Sequence, residues 1–63
     1  MIKATFELNG NVIVSEVMDG AWYQNGEFIR AAFPEISFAV FARGMRIIEA
    51  TPQALSIIRK HNG

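Results

Sequence analysis

The stretch IKATFEL-NG-NVIVSEV, residues 2–17, decides the fold. Polar and apolar residues alternate on both sides of Asn9-Gly10, as they do in strands whose sheet has one buried face. Asn-Gly favours a two-residue type I′ turn, because both turn positions need a positive φ. Such a turn places Lys3 opposite Glu16 on one face and leaves the other face largely apolar. The sequence therefore predicts strands at residues 2–8 and 11–17.

A second Asn-Gly pair, at residues 25–26, separates AWYQ from EFIR. A two-residue turn here sets Tyr23 opposite Phe28 and Trp22 opposite Ile29, so that both faces carry apolar pairs. Apolar residues between 27 and 33 also occur at helical spacing, which leaves open one or two helical turns instead of a strand. Whether Trp22 and Tyr23 are exposed also stays open.

A third turn is predicted at Arg43-Gly44, between ISFAVFA at residues 36–42 and MRIIEA at residues 45–50. The first of these segments has no charge and is apolar on both faces, which is typical of a central strand. Exposed segments of this kind promote aggregation, and Glu35 and Arg43 flank it as gatekeepers would. We therefore expect a hairpin at 43–44 with residues 36–42 as the strand around which the sheet is built.

Thr51-Pro52 predicts the start of a helix, because Thr is a good N-cap and Pro is favoured at the first helical position. Ala54, Leu55 and Ile58 form one apolar stripe, and the cations of the last turn complement the helix dipole. Gly63 is placed to follow the helix end. We expect this helix over about residues 52–62.

These elements predict a single α+β domain over residues 1–63. We expect a bent antiparallel sheet or a small barrel of four to six strands, packed against one C-terminal helix. The 63 residues are 51% hydrophobic and include no cysteine. So small a domain cannot hide that many apolar side chains, and it has no disulfide to stabilise it. Self-association, as a homodimer or a larger oligomer, is the expected remedy.

Charged residues interrupt every apolar stretch, and the longest uncharged run covers residues 50–58. A spanning helix needs roughly 18 apolar residues, and the first residues have no continuous apolar region of the kind found in signal peptides. We therefore expect a cytoplasmic protein with no membrane partner.

The reactive side chains do not form a catalytic pattern. Ser15, Ser37 and Ser56 lack a nucleophile turn, and His61 is interpreted as a helix-terminal residue rather than as a base. Glu16 and Asp19 are close in sequence but are interpreted as surface charges. The single histidine and the absence of cysteine argue against a transition-metal site, and no glycine-rich loop opens a helix. We expect no enzyme activity, no cofactor and no metal.

Binding is the remaining class of function. Aromatic residues, methionine and arginine are enriched at protein interfaces, so a protein-binding surface is predicted from Met18, Trp22, Tyr23, Arg30 and Arg46. The sequence thus favours a small regulatory or adaptor protein that acts by protein–protein binding.

Nucleic-acid binding is the alternative. The net charge is zero, but residues 36–63 hold four cations against one acidic residue. A basic surface with aromatic rings for stacking is typical of single-strand binding. The cations of this alternative are Arg43, Arg46, Arg59 and Lys60.

Overall fold

A computed structural model describes residues 1–62, which form an antiparallel five-stranded sheet with two helices on one of its faces. The elements are β1 (Ile2–Leu8), β2 (Asn11–Met18), β3 (Ala21–Gln24), β4 (Glu27–Ile29), α1 (Pro34–Ala42), β5 (Arg46–Ala50) and α2 (Pro52–Asn62). The strand order is β4-β3-β2-β1-β5. The predicted α+β class and C-terminal helix are confirmed, whereas the barrel alternative is wrong because the sheet is open, with β4 and β5 at its edges.

The first hairpin has the predicted register. Lys3 pairs with Glu16 and Phe6 pairs with Ile13. Asn9 and Gly10 have φ values of 51° and 83°, as a type I′ turn requires. The alternation therefore places one side of β1 and β2 in the core and the other side away from the helices.

The second hairpin is also confirmed: of residues 27–33, for which the sequence allows a strand or a helix, residues 27–29 form β4 and residues 30–33 are in neither element. Tyr23 pairs with Phe28 in β3 and β4, so the helical alternative for this segment is wrong. The turn is anchored to β2 through Asn25, whose backbone N–H donates to the Val14 carbonyl at 2.7 Å. The side-chain Oδ1 of Asn25 accepts the Val14 N–H at 2.9 Å.

The predicted central strand at residues 36–42 is wrong, because this segment lies within α1. Pro34 stands at the start of the helix and Glu35 in its first turn, and both are favourable there. Phe38, Ala39 and Ala42 of α1 are buried where the helix packs on the sheet and on α2, whereas its outer side exposes Ile36 and Val40. A run that is apolar on all sides has no periodicity that distinguishes a helix from a strand.

The hairpin predicted at residues 43–44 is wrong for the same reason. Arg43 is the C-cap of α1, and Gly44 follows it with a φ of 78°. The Met45 N–H donates to the Ala42 carbonyl at 3.1 Å, which closes the helix end. A glycine with positive φ is as typical of a helix terminus as of a hairpin.

The core is aromatic and lies between the sheet and α1. The Phe6 ring centroid lies 6.0 Å from that of Phe38 and 5.8 Å from that of Phe41. Trp22 packs 5.4 Å from Phe41. Ala54 brings α2 against the same cluster. This packing fixes which face of the sheet is covered, and hence which face is left to solvent.

Thr51 joins α2 to β1. Its Oγ1 accepts the Ala54 N–H at 3.4 Å, which is the predicted N-cap, and it also accepts the Lys3 N–H at 3.1 Å. The same hydroxyl donates to the Met1 carbonyl at 2.7 Å. The prediction for Gly63 lies outside the described residues. Neither helix within residues 1–62 has the length and apolar character needed to cross a membrane.

Candidate protein-binding surface

The two helices cover one face of the sheet and leave the other uncovered, and we call the uncovered one the open face. Because strand side chains alternate, the registers define its members. They are Lys3, Thr5, Glu7, Val12, Val14, Glu16, Met18, Ala21, Tyr23, Phe28, Arg46 and Glu49.

The β3–β4 side of the open face carries an apolar group that we call the aromatic patch: Met18, Tyr23 and Phe28. The Tyr23 and Phe28 rings meet edge to face, with centroids 5.9 Å apart. Met18 lies opposite Ala21, and therefore diagonal to Tyr23. Phe28 is 61% exposed and Met18 is 49% exposed. The solvent face of an antiparallel sheet is usually polar, so this patch departs from the expected pattern.

The β1–β5 side of the open face is charged instead. Arg46 forms an ion pair with Glu7 across β5 and β1, and Lys3 stands opposite Glu16. Ion pairs of this exposed kind contribute little to stability. The open face therefore consists of an apolar half and a charged half.

Three of the five residues predicted for protein binding lie on the open face. Met18 and Tyr23 belong to the aromatic patch, and Arg46 lies in the charged half. Trp22 is buried in the core, on the opposite face, because neighbouring strand residues point in opposite directions. Arg30 is exposed and follows the end of β4.

The sequence-based set did not include Phe28, the most exposed member of the aromatic patch. The missing information was the β2–β3 turn at Asp19-Gly20, where φ is 53° and 74°. Asp-Gly is a strong hairpin sequence. A two-residue turn at Asp19-Gly20 pairs Glu16 with Tyr23. This register places Tyr23 and its partner Phe28 on the face that carries Lys3 and Glu16.

The four cations of the nucleic-acid alternative do not share one surface. Arg43 ends α1, and Arg59 and Lys60 lie in the last turn of α2, on the helical side of the sheet. Arg46 lies on the open face and is paired with Glu7. Three of the four cations are thus separated by the sheet from the exposed rings of the aromatic patch.

The candidate catalytic residues are dispersed as well. Ser15 is fully buried and its hydroxyl has no hydrogen-bond partner among residues 1–62, whereas His61 is exposed in the last turn of α2. Glu16 lies on the open face and Asp19 in a turn. No group of three potential metal-ligating side chains is present within residues 1–62.

The fold and surface thus define a small α+β domain with a one-sided helical layer and an apolar patch on the opposite face. Comparisons of the chain with known protein families, with curated proteins and with solved structures found no match. Function is therefore inferred from the surface itself.

Proposed function

We propose that this chain is a small, non-enzymatic regulatory or adaptor protein of the cytoplasm that self-associates and acts by protein–protein binding. The observation that carries the proposal is the aromatic patch on the open face. Phe28 keeps 61% of its surface exposed at a position where an antiparallel sheet normally presents a polar side chain.

The composition of the patch supports a protein partner. Aromatic side chains and methionine are enriched at protein interfaces, and tyrosine is enriched among the residues that contribute most to binding. Tyr23 and Phe28 already contact each other, so they lose little conformational freedom when a partner covers them. The neighbouring charges of Glu16, opposite Tyr23, and of Lys3, opposite Glu16, supply the polar rim that such interfaces have.

The electrostatics give less support to a nucleic-acid partner. Single-strand binding needs exposed rings and cations in one groove. Here the rings of Tyr23 and Phe28 share their face with acidic as well as basic side chains, and the chain has a net charge of zero. Protein recognition needs no such basic excess.

The proposal is tested by replacing Phe28 with lysine. The matched control is Val40→Lys, because Val40 on α1 is exposed to a similar degree, 57%, but lies on the helical side. Each protein is immobilised on a resin and incubated with extract of the cells that produce it. The proteins retained on each resin are quantified by mass spectrometry. We expect at least one protein to bind the wild type and Val40→Lys but not Phe28→Lys.

Identical retained sets on all three proteins would contradict a role for the patch. Far-UV circular dichroism of each variant shows that the comparison is between folded proteins. A parallel fluorescence-polarisation titration uses mixed single- and double-stranded oligonucleotides at low and moderate salt. Tight binding that collapses as salt rises would favour the nucleic-acid alternative.

A further inference from the structure

The edge strand β5 is the least buried element of the sheet. None of its five residues is buried, although Ile47 and Ile48 are in the middle of it. Ile47 is 36% exposed and Ile48 is 50% exposed. Because β5 is an edge strand, one side of its backbone has no neighbouring strand in the part of the chain that the structure describes, and such an edge is a template for pairing.

A bulge in β5 changes which side chains share a face. Thr5 of β1 pairs with Glu49 and Phe6 pairs with Ile47, so Ile48 is the extra residue. In a regular strand, residues three apart point to opposite faces. The bulge instead places both Arg46 and Glu49 on the open face, with the two isoleucines between them.

We propose that a second copy of this chain pairs antiparallel with β5 and extends the sheet across a two-fold axis at Ile47-Ile48. Arg46 then faces Glu49 of the second copy, and the symmetry repeats this ion pair on the other side of the axis. The exposed isoleucines of the two copies cover each other. The inference rests on the self-association proposed above and assigns it to one strand.

The sequence Arg46-Ile-Ile-Glu49 favours a second copy over an unrelated strand, because it is complementary to itself when read antiparallel. Charges and bulges on an edge often prevent pairing between molecules. Here the two charges have opposite signs and lie on one face, so they attract an inverted copy and disfavour an edge that places like charges opposite them.

The test uses charge reversal and sedimentation equilibrium at concentrations up to hundreds of micromolar. We expect the wild type to approach twice its chain mass of 7.0 kDa. Arg46→Glu and Glu49→Arg should each weaken the dimer by roughly tenfold or more, since each creates two repulsive pairs. An equimolar mixture of the two variants should dimerise again, because the glutamate introduced in the first variant then meets the arginine introduced in the second.

Glu27→Lys is the matched control, since it makes the same kind of charge change on an exposed residue of β4, at the opposite edge of the sheet from β5. It should dimerise like the wild type. Single variants that dimerise normally, or a mixture that stays monomeric, would overturn the assignment to β5 while leaving self-association intact. A wild type that stays monomeric at hundreds of micromolar would overturn self-association itself, and the assignment with it.

Hydrogen exchange tests the backbone pairing directly. The amides of β5 should become more protected when the protein is concentrated into the dimer range, whereas those of the other edge strand, β4, should not change. Protection of β5 that does not vary with protein concentration would place the interface elsewhere and overturn the inference.

Discussion

The Thr51 hydroxyl hydrogen-bonds the start of the C-terminal helix to the first residues of the chain, and Thr51→Val removes these bonds with little change in shape. Loss of the N-cap to Ala54 costs about 1 kcal/mol. The hydrogen bonds to the Lys3 N–H and the Met1 carbonyl are exposed, so the loss of each should lower the stability by about 0.5 kcal/mol. The substitution should therefore lower the free energy of unfolding by about 2 kcal/mol, whereas a domain of this length has a free energy of unfolding of roughly 3–9 kcal/mol.

Thermal unfolding followed by circular dichroism measures this loss, with urea unfolding as a second assay. For a domain of this size, about 2 kcal/mol corresponds to a fall in Tm of about 8–16 °C. Thr51→Ser is the control, because serine is an equally good N-cap and keeps the hydroxyl. A Thr51→Val protein within about 0.5 kcal/mol of the wild type would refute the reasoning, as would an equal loss in Thr51→Ser.

Three other substitutions test the core, the first turn and α1. Ser15→Ala removes a buried hydroxyl that has no partner in the described part of the chain and should raise stability by about 1 kcal/mol; a loss of stability in urea unfolding would show that the hydroxyl is hydrogen-bonded. Gly10→Val forces a β-branched residue to a φ of 83° and should cost about 1–2 kcal/mol, so an unchanged Tm would contradict the type I′ turn. Val40→Lys interrupts the uncharged segment of α1 and should slow aggregation on heating, measured by light scattering, more than Val12→Lys does at a similarly exposed site outside that segment.

The hairpins could be predicted from the sequence because their turn chemistry and their side-chain alternation agree. Asn9-Gly10 and Asn25-Gly26 each need positive φ at two positions, and only a few residue types accept that without cost. A two-residue loop then fixes the register, so the pairing of Lys3 with Glu16 follows without further information. The same local agreement predicted the start of α2 at Thr51-Pro52.

The pairing of β1 with β5 and the faces of the sheet depend on contacts between distant residues. Phe6 and Ile47 are far apart in the chain, and the pairing of their strands includes a bulge that no turn sequence predicts. The face occupied by Trp22 is set by α1, which covers β2 and β3. Because Trp22 and Tyr23 are neighbours in one strand, the position of the helices decides which ring is buried and which is left to a partner.

The α1 segment shows why hydrophobicity alone could not decide between helix and strand. Its run ISFAVFA lacks periodicity in either form, and the decisive information lies at its ends, in Pro34 and Gly44. The helix buries Phe38 against the sheet but leaves Ile36 and Val40 exposed. A sequence with strand-like composition is thus held as a helix by packing on the sheet and on α2, while its outer side stays exposed. Pairing through β5 would cover Ile47 and Ile48 but would leave the apolar side chains on the outer side of α1 exposed. The aggregation rate of Val40→Lys on heating therefore measures how much these remaining side chains contribute to aggregation.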